Sequence, residues 1–133
     1  MKMLFVALIL LLASSSFAKT RNTICSYYYR HDIFSQNLYL ILEKDNGKQT
    51  LYMDTPTPYG IRVYPYDMKK VQCGTASLEI EAIASNQRKV AFKYPVKDGT
   101  SGVLIYFNEL NERVADLVMK CSAAEIKNFC GEN

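Results

Sequence analysis

The chain is short of the groups that enzymes use for nucleophilic chemistry at neutral pH. It has one histidine, His31, in 133 residues. Serine and cysteine nucleophiles need a neighbouring base, most often histidine. His31 is the one histidine that could supply it, and no serine stands in a G-x-S-x-G turn. His31, beside Asp32 in a polar stretch, reads better as an exposed loop histidine. A lone histidine also completes no His-based metal centre. Glycine is scarce, with six in all, and tryptophan is absent. No Gly-rich phosphate cradle, D-x-D-x-D-G calcium loop or Asn-x-Ser/Thr acceptor occurs. No catalytic residue, metal ligand or cofactor is therefore expected, and the reading is non-enzymatic.

Charge is equally unhelpful to a binder of polyanions. With Lys2 set aside, 15 of the 16 Lys and Arg remain against the 13 Asp and Glu, and no run of like charges appears. Nucleic-acid binding rests on clustered basic charge, so no nucleic-acid partner is expected. An electrostatic membrane anchor is excluded on the same ground.

Long apolar runs are missing too, except at the start. Lys2 precedes an unbroken apolar run from Met3 to Ala13, followed by Ser14-Ser15-Ser16-Phe17-Ala18. A basic start, a short apolar stretch and small residues at Ser16 and Ala18 make a secretory signal peptide over residues 1–18, cleaved before Lys19. The run is shorter than the roughly 20 residues of a spanning helix. No cysteine at the cleavage site offers a lipid anchor. Residues 19–133 are then expected to form one domain of about 115 residues, periplasmic or secreted, with no membrane insertion after cleavage.

Export changes how the cysteines read. Cys25, Cys73, Cys121 and Cys130 are an even set in an oxidising compartment, which implies two disulfides. A four-thiolate zinc site is the rival, but such sites bring ligands in close C-x-x-C pairs and none exists here.

Strand signals dominate what remains. Leu38 to Leu42 and Leu51 to Met53 flank Asn46-Gly47, the strongest short hairpin signal. A two-residue loop there sets Leu42 opposite Leu51 and Leu40 opposite Met53, one wholly apolar face. Val90 to Val96 and Val103 to Phe107 flank Asp98-Gly99, which would set Val90 opposite Phe107, Phe92 opposite Ile105 and Tyr94 opposite Val103. Leu78 to Ala82 alternates apolar and acidic, and Ser85-Asn86-Gln87 joins it to that hairpin. Glu79 and Glu81 could form a carboxylate pair of the glycosidase kind, but charges on the solvent side of a half-buried strand explain them better. Ile24 to Tyr29 and Ile61 to Tyr66 read as two further strands. Asp54 to Gly60, with two prolines, reads as an exposed loop without regular pairing.

The segment 108–121 fits two patterns. As a helix over 109–121 it gives a stripe of Leu110, Val114, Leu117, Val118 and Cys121. As a strand it places Ala115, Leu117 and Met119 on the apolar face with Asp116 outward, and the strand is preferred. Ser122-Ala-Ala-Glu125 is a capping box for a helix from Ala123 to about Phe129. Helix between Cys121 and Cys130 would separate them by about 13 Å, beyond the roughly 7 Å a disulfide allows between Cα atoms. Cys25–Cys121 with Cys73–Cys130, or Cys25–Cys130 with Cys73–Cys121, remain. The expected fold is all-β: a single antiparallel barrel or sandwich of about 6–8 strands with a short C-terminal helix. The alternative is an α+β fold with the helix at 109–121.

The one compositional excess is tyrosine, ten in the chain. Tyr59, Tyr64 and Tyr66 cluster near the prolines. On a strand over 61–66, Arg62, Tyr64 and Tyr66 share one face. Tyrosine is also an ordinary strand residue, and that explanation carries more weight. As a candidate binding surface, Tyr59, Arg62, Tyr64 and Tyr66 are nevertheless the residues to test, because tyrosine and arginine are enriched at recognition hot spots. The expected function is a non-enzymatic binding module whose partner is another protein or an envelope or extracellular ligand. One version is a hydrolase inhibitor inserting Asp54 to Gly60. The alternatives are a structural or envelope-associated protein, or a hydrolase whose site lacks histidine.

Overall fold

The computed structural model describes residues 19–31, 34–96 and 99–131. The leader over 1–18, Asp32 beside His31, and Asp98 of the second turn lie outside the described residues. Eight strands run up and down into a closed antiparallel barrel in sequence order. They are β1 (Lys19–His31), β2 (Phe34–Asp45), β3 (Lys48–Thr57), β4 (Gly60–Cys73), β5 (Leu78–Ile83), β6 (Lys89–Val96), β7 (Ser101–Phe107) and β8 (Arg113–Cys121). One helix among the described residues, α1 (Ala123–Gly131), follows. The fold is thus the all-β barrel with a short C-terminal helix, and 113–121 is strand.

The period-2 alternation of each strand sends one side chain in and the next out. Leu40, Leu42, Leu51, Ile80, Phe92, Leu104 and Met119 are buried together inside. Each such side chain contributes about 1.5–3 kcal/mol by leaving water. Outside, Glu79 pairs across to Lys93 and Glu81 to Lys70, a charge ladder on the exposed face. The β2–β3 register is the one the Asn46-Gly47 turn dictates, with Leu42 opposite Leu51 and Leu40 opposite Met53. Asn46 and Gly47 both take positive φ, 54° and 82°.

Three expectations need correction. Asp54 to Gly60 is a regular hairpin, with Thr57 opposite Gly60 and Pro56 opposite Ile61. Thr57 and Gly60 flank the two-residue turn as a hydrogen-bonded pair. By the alternation of an antiparallel ladder, Pro56 then lacks its N–H on the side away from β4. The β2 pairing of β3 begins only at Asp54, so no ladder bond is lost there. Pro65 of β4 repeats the device, because β4 meets β5 only from Asp67 onward.

Second, the β6–β7 pairing is one residue from the expected register. Val90 faces Tyr106 and Phe92 faces Leu104, and the shift falls between Lys93 and Val96. Pro95 sits in that interval, where a bulge takes up one residue and no amide is needed for the ladder. Leu104 and Tyr106 consequently turn inward in place of Ile105 and Phe107. Gly102 also faces in, and a Cβ there would stand 2.7 Å from the Phe92 ring and 2.9 Å from the Cys121 sulfur. A glycine is what lets the ring and the disulfide occupy that space.

Third, Ser122 Oγ accepts from the Glu125 amide at 3.3 Å, but the Glu125 carboxylate accepts from Asn22 Nδ2 at 3.0 Å. The Ser122 amide donates instead to the Ile24 carbonyl at 2.8 Å. The cap is shared with β1, and it fastens α1 to the wall.

Strand wins over helix at 113–121 for a local reason. Asn108 Oδ1 accepts from the amides of Leu110 and Glu112, and Asn111 sits at φ 62°. The left-handed residue ends any helical turn before it propagates. Leu110, which a helical stripe would bury, is 78% exposed.

The disulfides are Cys25–Cys121 and Cys73–Cys130, one of the two pairings left by the helix argument. Cys25 and Cys121 face each other where β1 meets β8, and that seam is paired only at Cys25–Cys121 and Ser26–Lys120 among the described residues. Two disulfides fit an oxidising compartment.

Candidate functional site

The two ends of the barrel differ. At one end α1 lies across the opening, with Ile126 and Phe129 buried in the core. Lys44 Nζ donates to the Phe129 carbonyl at 2.8 Å and lies 4.4 Å from the centre of its ring. Cys73–Cys130 ties the helix to the end of β4. Beside it, a cavity of about 630 Å³ separates α1 from the 74–77 loop.

The other end holds a larger cup of about 790 Å³, within the range of small-ligand pockets. Leu38 of β2, Met53 and Thr55 of β3, and Val90 of β6 contribute to its lining. Tyr64, Pro65 and Tyr66 of β4 form one side. Tyr106, Phe107 and Asn108 of β7 and the turn after it, with Val114 and Ala115 of β8, form another. The 84–88 turn, carrying Ser85, Asn86 and Arg88, closes the rim. That turn is held by the Ala84 amide donating to the Arg88 carbonyl at 2.9 Å and the Arg88 amide donating to Asn86 Oδ1 at 3.0 Å.

The polar groups of the cup form a string. Burial raises the Tyr66 phenol above its ordinary value, with Tyr64 adding to the rise and Arg88 opposing it. Burial likewise pushes Tyr106 up to about 12, and Tyr66 adds to that. Tyr66 thus lies in electrostatic reach of Tyr64, Tyr106 and Arg88. At ordinary pH, Tyr66 and Tyr106 are neutral hydroxyl donors. Arg88 also meets Glu109 at 3.1 Å on the rim, both side chains more than half exposed. Lys89, at the cup's edge, lies 4.4 Å from the centre of the Phe107 ring. No carboxylate is among the described residues that line the cup.

The structure divides the candidate binding residues from the sequence. Tyr64 faces Met53 and Tyr66 faces Leu51 across β3, so both turn toward the barrel axis and line the cup. Arg62, opposite Thr55, shares their face one pleat farther out and is exposed. Tyr59 stands apart at the β3–β4 turn, 99% exposed. His31 closes β1 opposite Phe34, in strand and not in the loop expected of it. Glu79 and Glu81 lie on the outer face, away from the cup.

Sequence reasoning missed Tyr106 and Arg88. Tyr106 was hidden by the one-residue register error on β7, which turned it outward. Arg88 follows the recognised turn, and its parity with Val90 was the available signal. Comparison with family models, curated proteins and solved structures finds no match to this chain.

Proposed function

We propose that the protein is a non-enzymatic binding module that holds one small, largely apolar ligand in the open end of its barrel, in the periplasm or outside the cell. The observation that carries this reading is the contrast between a plugged end and a roomy cup lined by apolar side chains and a few convergent hydroxyls. Eight-stranded barrels are just wide enough to hold one small ligand, and apolar pockets with few polar groups are the usual form of such sites. The apolar leader and the two disulfides support export. The wall carries leucines inside and charges outside, the reverse of a barrel that faces lipid, which supports a water-borne carrier.

The test is binding of a neutral apolar fluorophore such as N-phenylnaphthylamine to the oxidised protein. Saturable enhancement is expected. Ala115→Trp, which places an indole in the cup, should abolish it, whereas Ala123→Trp beside the helix-end cavity should not. No saturable binding, or equal binding by the Ala115→Trp protein, overturns the proposal.

A further inference from the structure

We infer that the ligand is a single-chain amphiphile with one carboxylate, its apolar body in the cup and its acid group received at the rim by Arg88 and the Tyr66 hydroxyl. This rests on the cup being the binding site. Three observations select the acid over a neutral or cationic head group. The described lining holds Arg88 and Lys89 and no carboxylate, so the charge that the cup presents is positive, with Glu109 paired to Arg88 at the rim. The Tyr66 and Tyr106 side chains line the same cup as Arg88, and phenol O–H groups donate well to a carboxylate. Arg62, on the same face as Tyr64, adds a further cation at the entrance. Below these groups the surface becomes apolar through Leu38, Met53 and Val90, which accepts a chain and offers nothing to a second charge.

Glu109 provides an internal control. Its carboxylate already occupies Arg88 at 3.1 Å, in an exposed pair of the weak kind. A ligand acid must share or displace it. Glu109 and Arg88 should therefore act in opposite directions on the same ligand, which no nonspecific hydrophobic effect would do.

The experiment is calorimetric titration of the oxidised protein with dodecanoate, dodecanol and dodecyltrimethylammonium below their aggregation limits. Dodecanoate should bind tightest. Arg88→Gln should weaken it by about tenfold, the scale of one charge-assisted hydrogen bond at a half-exposed site, and leave dodecanol unchanged. Glu109→Gln should tighten dodecanoate a few-fold, again with dodecanol unchanged. Raising the salt concentration should reduce affinity for the acid alone. Equal binding of acid and alcohol by the wild type, preference for the cation, or an Arg88→Gln protein that holds dodecanoate normally would overturn the acid assignment while leaving the cup intact. Binding of none of the three would overturn the cup itself. Unchanged dodecanol binding in each variant guards against a folding defect.

Discussion

The plugged end and the open end of this barrel differ in what fills them and in what anchors them. At the plugged end a nine-residue helix is held by a disulfide, a shared cap and a lysine on its last turn. At the open end the strands carry tyrosines into a space that no described element crosses. Both ends solve the problem every closed sheet has, which is what to put inside the rim. One fills it with Phe129 and Ile126; the other leaves a cup of about 790 Å³. The lesson is that the covalent tie and the helix cap gather at one end, while the other is lined by side chains.

The sharpest way to break that contrast is to open the seam. Replacing Cys25 and Cys121 by alanine frees a link spanning 96 residues of sequence, for which the chain-entropy argument gives a loss of about 4–5 kcal/mol. Urea unfolding should show it as a lower midpoint with ligand affinity falling in parallel, since among the described residues β1 pairs with β8 only at Cys25–Cys121 and Ser26–Lys120. Next in size is Phe129→Ala. Its ring is 1% exposed, and removing a buried phenylalanine costs about 3–5 kcal/mol. Because Phe129 belongs to the plug, stability should drop while the cup still binds its probe above the unfolding range. Loss of both together would mean that the two ends are one unit.

The smallest effect comes from the open end and appears only in alkali. Tyr106 has a folded pKa raised to about 12 from the ordinary 10. The folded state thus retains the phenol proton more strongly than the unfolded chain. Its contribution is fully present below about pH 10 and is lost as pH rises through about 12. Tyr66 shifts in the same direction. Unfolding free energy should fall across that window, and Tyr106→Phe should flatten the fall. If the variant keeps the wild-type slope, Tyr106 is not the buried phenol it is drawn as.

Much of this architecture was legible because short turns fix register. Asn46-Gly47 determined every pair of the first hairpin, and Ser122-Ala-Ala-Glu125 set the helix and excluded a Cys121–Cys130 bond. Bulges defeated the reading elsewhere. The insertion near Pro95 left the turn recognisable but moved all pairs beyond it, so Leu104 and Tyr106 were assigned to the wrong face. The prolines at 56 and 58 were read as breaking the sheet. Whether a missing N–H matters depends on which neighbour strand reaches that far, and that is a property of the assembled barrel. For the cup, Tyr64 and Tyr66 were named for sharing a face, yet that face turned out to be the concave one. Strand parity says which residues go together; only closure says which side becomes the inside.

The seam between β1 and β8 also has a consequence for the order of events in the export proposed above. Every other strand pairs with its neighbour in sequence and can form as the chain emerges. The wall alone needs the first strand to wait for the last. A chain delivered amino end first must hold Cys25 as an unsatisfied thiol on a curling, one-edged ribbon until Cys121 arrives. In the proposed export, the Cys25–Cys121 bond would therefore close late, once Cys121 had followed Cys25 across.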